Sequence, residues 1–188
     1  MFKVKNIANI LTLMRIGLIP ILIGLFYIEA PFSFITASIL FLIACLTDYF
    51  DGVVARATKQ ESDIGRFLDP LADKLIIAAA LIMLAGFQRI SGLTLIPAVI
   101  ILCREILVSG LREHLSTLNV SLPVTRLSKW KTTIQMFGIG FLIVGDALPI
   151  FPFETIGLYC FWLAGILTLM TGYDYLCKSL KHMPRPLC

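Results

Sequence analysis

Charge is what this sequence has least of. Asp, Glu, Lys and Arg make up 15% of its 188 residues, and 58% are hydrophobic. Soluble domains carry roughly 25% charged residues. A soluble globule of this length could not bury so much apolar surface. Histidine is nearly absent as well. His114 and His182 have no second His or Cys at ligand spacing, which argues against an imidazole zinc site. The five cysteines, Cys45, Cys103, Cys160, Cys177 and Cys188, are odd in number and widely spaced. They read as reduced packing residues, not as a disulfide framework, and Cys188 does not sit in a prenylation motif. No P-loop, dinucleotide fingerprint, nucleophile elbow or internal repeat occurs, and the basic residues are scattered, so a nucleic-acid role has no support. Six membrane helices would use most of the length and exclude a second sizeable soluble domain. Residues 1–188 therefore read as a single membrane-embedded domain.

What is present is a series of six apolar runs, at about 7–28, 32–47, 70–87, 90–111, 132–145 and 155–173. They are too long and too continuously apolar for barrel strands, so the expected fold is all-α with six transmembrane helices. The first run is too long for a secretory signal and is interrupted by Arg15. Six spans place both termini on one side. Thirteen of the 16 Lys and Arg fall on that side; Arg89 alone lies on the other, and Arg15 and Arg104 lie within runs. Positive charge stays inside, so both termini are expected to be cytoplasmic. The formal glycosylation site at Asn119 falls on the cytoplasmic side and is discounted.

Of the 12 acidic residues, four form one pattern: Asp48 and Asp51 three apart, Asp69 and Asp73 four apart. On helices each pair shares a face. At about 100° per residue, Asp51, Gly52 and Ala55 lie within roughly 60° of Asp48, and Arg56 within about 80°. A single Asp at the bilayer centre costs about 2.5–3.5 kcal/mol on insertion scales, and four together also repel. Bound hard cations remove both problems. Two divalent ions would balance the charge and leave positions open for phosphate oxygens, the layout of a two-metal phosphoryl-transfer site. Gly52, Ala55 and Gly65 allow a ligand close to the backbone. The plain alternative is that these are helix-end charges paired with Arg56, Arg66 and Lys74. It suits any one Asp better than four at helical spacing.

Asp48-x-x-Asp51-Gly52-x-x-Ala55-Arg56, eight residues, then Gly65-x-x-x-Asp69-x-x-x-Asp73 resembles the complete signature of the CDP-alcohol phosphatidyltransferases. The six-helix layout is similar over nearly the whole chain. The resemblance implies a CDP-linked lipid bound at this motif, attack by an alcohol on the phosphorus carrying the lipid, and departure of CMP. It implies that Asp48, Asp51, Asp69 and Asp73 ligate two divalent metal ions, Mg²⁺ or Mn²⁺, with Asp73 also the base for the attacking hydroxyl. Gly52, Ala55, Arg56 and Gly65, with Asn9 and Thr12 of the first run, would line the CDP site. A homodimer in the bacterial inner membrane, with its active site facing the cytoplasm, is implied as well.

Three further stretches resemble the phosphatidylglycerophosphate-forming branch of that family: 9–15, with Ala8 where Pro is usual; 104–113; and 129–135. That branch transfers the phosphatidyl group of CDP-diacylglycerol to glycerol 3-phosphate. Arg104 and Arg112 are eight apart, on about the same helix face. With Arg126, Lys129 and Lys131 they could hold the acceptor's phosphate. The bland reading of these cations is topology or lipid head-group contact. For Arg104, a charge so deep needs a partner, expected on another helix rather than in its neighbour Glu105. Tyr173, Tyr175, Trp130 and Trp162 read as interface aromatics, and Gly138-x-Gly140 as a close helix contact. The rival readings are a relative using serine, inositol phosphate or phosphatidylglycerol as acceptor, a small divalent-cation carrier, and an intramembrane prenyltransferase.

Overall fold

Each apolar run becomes a helix, and several helices continue past the run that seeds them. A computed structural model describes residues 3–28, 30–58, 63–117 and 126–182; at 3–11, 48–58, 63–67, 69–70, 117, 126 and 181–182 it describes only the backbone. Its α-helices are α1 Lys3–Tyr27, α2 Pro31–Thr58, α3 Asp63–Gly86, α4 Leu95–Thr117, α5 Arg126–Val144 and α6 Phe153–His182. Among the described residues there is no strand. Pro31 opens α2, where its fixed φ and missing N–H do no harm. The apolar run ends at Thr47, yet α2 runs on through the Asp motif to Thr58. α6 likewise continues beyond residue 173, where Lys178 donates to Asp174 one turn earlier at 2.7 Å. Apolarity marks where a helix meets lipid or core; backbone hydrogen bonding carries it further.

The six helices pack as a closed ring in the order α1, α2, α5, α6, α4, α3. Its interior is filled by Leu22, Phe26, Phe41, Ile76, Ile101 and Phe161. Small residues allow the closest approaches. A Cβ on Gly138 of α5 would meet the Phe161 backbone N at 3.1 Å, and one on Gly157 of α6 would meet the Leu142 N at 3.1 Å. The expected glycine contact is therefore real, with α6 the partner of Gly138 and α2 that of Gly140, whose added Cβ would meet Leu42 at 3.2 Å. Ser38 of α2 donates to the Gly140 carbonyl of α5 at 2.8 Å.

These contacts set helix directions. α5 and α6 are antiparallel, because Gly138 meets Phe161 while Leu142 meets Gly157. α4 and α6 are parallel, because Pro97 meets Gly165 and Arg104 meets Gly172. α1 and α3 are parallel: Arg15 pairs with Asp73 near one end, and Phe26 stacks on Phe87 at the other with ring centroids 5.4 Å apart. The ends of α2, α4 and α6 and the starts of α1, α3 and α5 therefore share one end of the bundle.

The outside is apolar. Ile21, Ile39, Ile82, Val99, Ile166 and Met170 are all exposed, more than a water-facing surface tolerates in contiguous patches. Among the described residues, 92–116 and 153–180 are long and apolar enough to cross a membrane, and 12–27 and 31–47 form shorter apolar helices. These faces fit a membrane protein. Tyr173 and Trp130 are exposed, as interface anchors should be. Cys45, Cys103, Cys160 and Cys177 stand outside any disulfide among the described residues; Cys188, His182's side chain and Asn119 lie outside the described residues.

Candidate active site

The motif is carried by the end of α2 and the start of α3. Asp48, Asp51, Gly52, Ala55 and Arg56 ride the last turns of α2, and Gly65, Asp69 and Asp73 the first turns of α3. The spacing thus falls on helical backbone throughout, as expected. The side chains of Asp48, Asp51, Gly52, Ala55, Arg56, Gly65 and Asp69 lie outside the described residues, as do those of Asn9 and Arg126.

Asp73 is described, and it is not alone. Arg15 Nη1 donates to Asp73 Oδ1 at 2.7 Å, with the Arg15 side chain 3% exposed and that of Asp73 35%. Thr12, buried one turn before Arg15, occupies the same face of α1. The next helix residue, Lys74, is half-buried and lies in the electrostatic field of Glu105, Arg112 and Glu113. The α4 charges are therefore brought beside the motif, although some thirty residues of sequence separate them.

A second polar group forms where α4, α5 and α6 meet. Lys131, only 1% exposed, donates to the Glu105 carboxylate, and Arg104 approaches the same carboxylate oxygen at 3.5 Å. The Arg104 result corrects an expectation: its carboxylate partner is its own neighbour Glu105. The 100° between adjacent positions is bridged because Glu105 is pulled toward Lys131 on α5, and Arg104 lies across Gly172 of α6. Two buried cations thus share one carboxylate. Arg104 Nε, Gln135 Oε1 and Thr168 Oγ1 are buried without a hydrogen-bond partner among the described residues. Of the cations expected to hold an acceptor phosphate, Arg104 and Lys131 meet at the Glu105 carboxylate, and Arg112 lies two turns further along α4. Arg112 is exposed, Lys131 is already engaged, and Lys129 is exposed on the first turn of α5.

Sequence reasoning passed over Arg15 and Glu105. The signal was available for Arg15: a guanidinium inside an apolar run demands a carboxylate, and Asp73 stands at the matching depth.

The donor chemistry of the motif fits hard divalent ions, since it offers only carboxylates, from two adjoining helices. Among the described residues no group of three His, Cys, Asp or Glu gathers, and three of the four motif carboxylates lie outside them.

The family model for CDP-alcohol phosphatidyltransferase matches residues 5–170. A Rickettsia bellii protein named CDP-diacylglycerol–glycerol-3-phosphate 3-phosphatidyltransferase is 42% identical over 95% of this chain and 97% of its own length. Proteins of the same name from Pseudomonas fluorescens and Cereibacter sphaeroides are 41% and 36% identical, each over 95% of this chain and 92% and 97% of their own.

Proposed function

The chain belongs to the CDP-alcohol phosphatidyltransferase family, and from that membership we propose the reaction for which its relatives are named. It transfers the phosphatidyl group of CDP-diacylglycerol to glycerol 3-phosphate, giving phosphatidylglycerophosphate and CMP. One observation carries the reading: the bundle brings the α2–α3 motif and the last turns of α4, with Arg112, to the same end, because α3 packs on α4 and starts where α4 ends. A donor diphosphate and an anionic acceptor can meet there.

The small residues Gly52, Ala55 and Gly65 admit the CDP group to the backbone, with Asn9, Thr12 and Arg56 around it. Asp48, Asp51, Asp69 and Asp73 would hold two divalent ions, Mg²⁺ or Mn²⁺, whose charge offsets that of the diphosphate. Arg56 adds charge stabilisation for the departing CMP. Asp73 takes the proton of the attacking hydroxyl. Arg104 and Arg112, with Arg126, Lys129 and Lys131, supply the cations for the acceptor's phosphate. Lys131 already answers Glu105, so its share is the smallest.

The setting is a six-span domain in the bacterial inner membrane, with both termini and the active-site end cytoplasmic. The 13 basic residues on that side support this orientation. The acyl chains lie between helices, and the enzyme works as a homodimer.

The test is CMP release by the purified full-length protein with CDP-diacylglycerol and one acceptor at a time. Turnover is expected with glycerol 3-phosphate and not with serine, inositol phosphate or phosphatidylglycerol. No turnover with glycerol 3-phosphate overturns the assignment. Chelation with EDTA is expected to stop the reaction and Mg²⁺ or Mn²⁺ to restore it; turnover indifferent to EDTA overturns the metal site.

A further inference from the structure

Arg15 is the one charge in the apolar run of α1, and it is buried. Its flanking residues Leu13 and Met14 face outward, while Thr12, Arg15, Leu22 and Phe26 form the inner stripe. α3 packs against α1, and Ala72, Ile76 and Ala80, which follow the same helical stripe as Asp73, are buried. The Arg15–Asp73 contact thus sits at the top of an apolar seam, in a fixed register with Phe26 on Phe87 at its bottom. Arg15 is buried while Asp73 keeps part of its side chain exposed, and for the buried partner an apolar residue of the same volume often serves a fold as well or better. The pair therefore calls for a functional explanation. A guanidinium presents its donors in a rigid plane and cannot lose its charge. It therefore fixes a carboxylate in orientation as well as in charge.

We propose that Arg15 is the positioning residue of Asp73: it holds the carboxylate in one orientation at the deep end of the motif and, as a cation beside it, tempers the motif's affinity for divalent metal. This rests on the transferase reading above. Arg15 does not itself meet substrate in this account. It acts through Asp73, and removing it has two opposite consequences. The carboxylate loses its fixed orientation, so chemistry slows. The acidic cluster loses a neighbouring cation, so a dication binds more tightly. A residue needed only for packing would weaken both.

The experiment uses the full-length enzyme in detergent, with Arg15→Met and Arg15→Lys. Mn²⁺ binding is read by electron paramagnetic resonance without substrates, and steady-state kinetics are measured alongside. Arg15→Met is expected to lower kcat by about 10²-fold, the scale of a misplaced reacting group, with the KM for glycerol 3-phosphate nearly unchanged. Mn²⁺ should bind about fivefold more tightly, the scale of removing one nearby charge in a well-solvated site. Arg15→Lys keeps the charge and loses the fork. It should bind Mn²⁺ like the parent while recovering about tenfold of the lost kcat. A kcat near the parent's in Arg15→Met overturns the proposal, and so does slow turnover with Mn²⁺ binding unchanged or weaker. If Arg15→Met does not fold, Arg15→Lys decides: parental kcat, or weakened Mn²⁺ binding, overturns it. A parent enzyme that binds no Mn²⁺ at all overturns the metal site itself, and this inference with it. Parental binding with the wrong response in the variants overturns the inference alone.

Discussion

Two arginine–aspartate pairs stand at opposite ends of this bundle. Arg15–Asp73 spans 2.7 Å and Arg89–Asp146 spans 2.6 Å, so by geometry they are equals. Their surroundings differ. The Arg15 side chain is 3% exposed, whereas Asp146 is 84% exposed. Arg89 lies 4.4 Å above the Phe34 ring and against Gly145, whose φ of +52° leaves no place for a side chain. That contact set clips together the start of α2, the α3–α4 turn and the end of α5. Water and Phe34 can satisfy Arg89 if Asp146 is lost. Arg15 is shut away from water. Equal distances therefore do not mean equal roles: the far end uses a pair as a clip, and at the motif end we propose that one holds the carboxylate of Asp73 in place.

The largest expected effect lies in the motif. Asp69→Asn should reduce turnover by more than about 10³-fold, the scale of losing a core electrostatic group, while thermal unfolding in detergent stays near the parent's. Near-parental activity would remove the case for the metal site. Next is Glu105→Ala, which strands Lys131 and Arg104 in the bundle with no carboxylate. It should cost about 3 kcal/mol or more of stability, seen as a lowered unfolding midpoint; a silent substitution would show that the polar group at α4, α5 and α6 is better hydrated than its burial implies. Arg112→Ala should raise the KM for glycerol 3-phosphate about tenfold, the scale of one charge-assisted hydrogen bond, and leave that for CDP-diacylglycerol nearly unchanged. Equal rises would mark Arg112 as structural. The smallest effect is expected at the far end. Asp146→Ala should change stability by less than about 1 kcal/mol and leave turnover alone. A large loss there would erase the contrast between the two pairs.

Much of the fold could be read in advance, and the reasons are physical. Each apolar run outlasts any strand, so six helices follow from length and hydrophobicity. The end of α6 did not follow, because Asp174 to His182 carries the charges beyond the apolar run yet continues the backbone ladder, whereas the helical spacing of the motif already carried α2 past Thr47. The Asp pattern was legible because its spacing is local to two helices. The partners of the buried cations were not, because they depend on which helices become neighbours. Arg104 shows this best. Angular reasoning on one helix turned it away from Glu105, while Lys131 from α5 draws Glu105 into reach.

Sequence alone thus determined the helices, the acidic motif and the sidedness of the basic residues. Each is a matter of composition or of spacing within one or two turns. Tertiary structure alone decided that α1 lies beside α3, that Arg15 answers Asp73, and that Lys74 stands near Glu105, Arg112 and Glu113 of α4. Those facts depend on ring order and helix register. Small residues such as Gly138 and Gly172 let particular helices approach, and no local spacing encodes that choice.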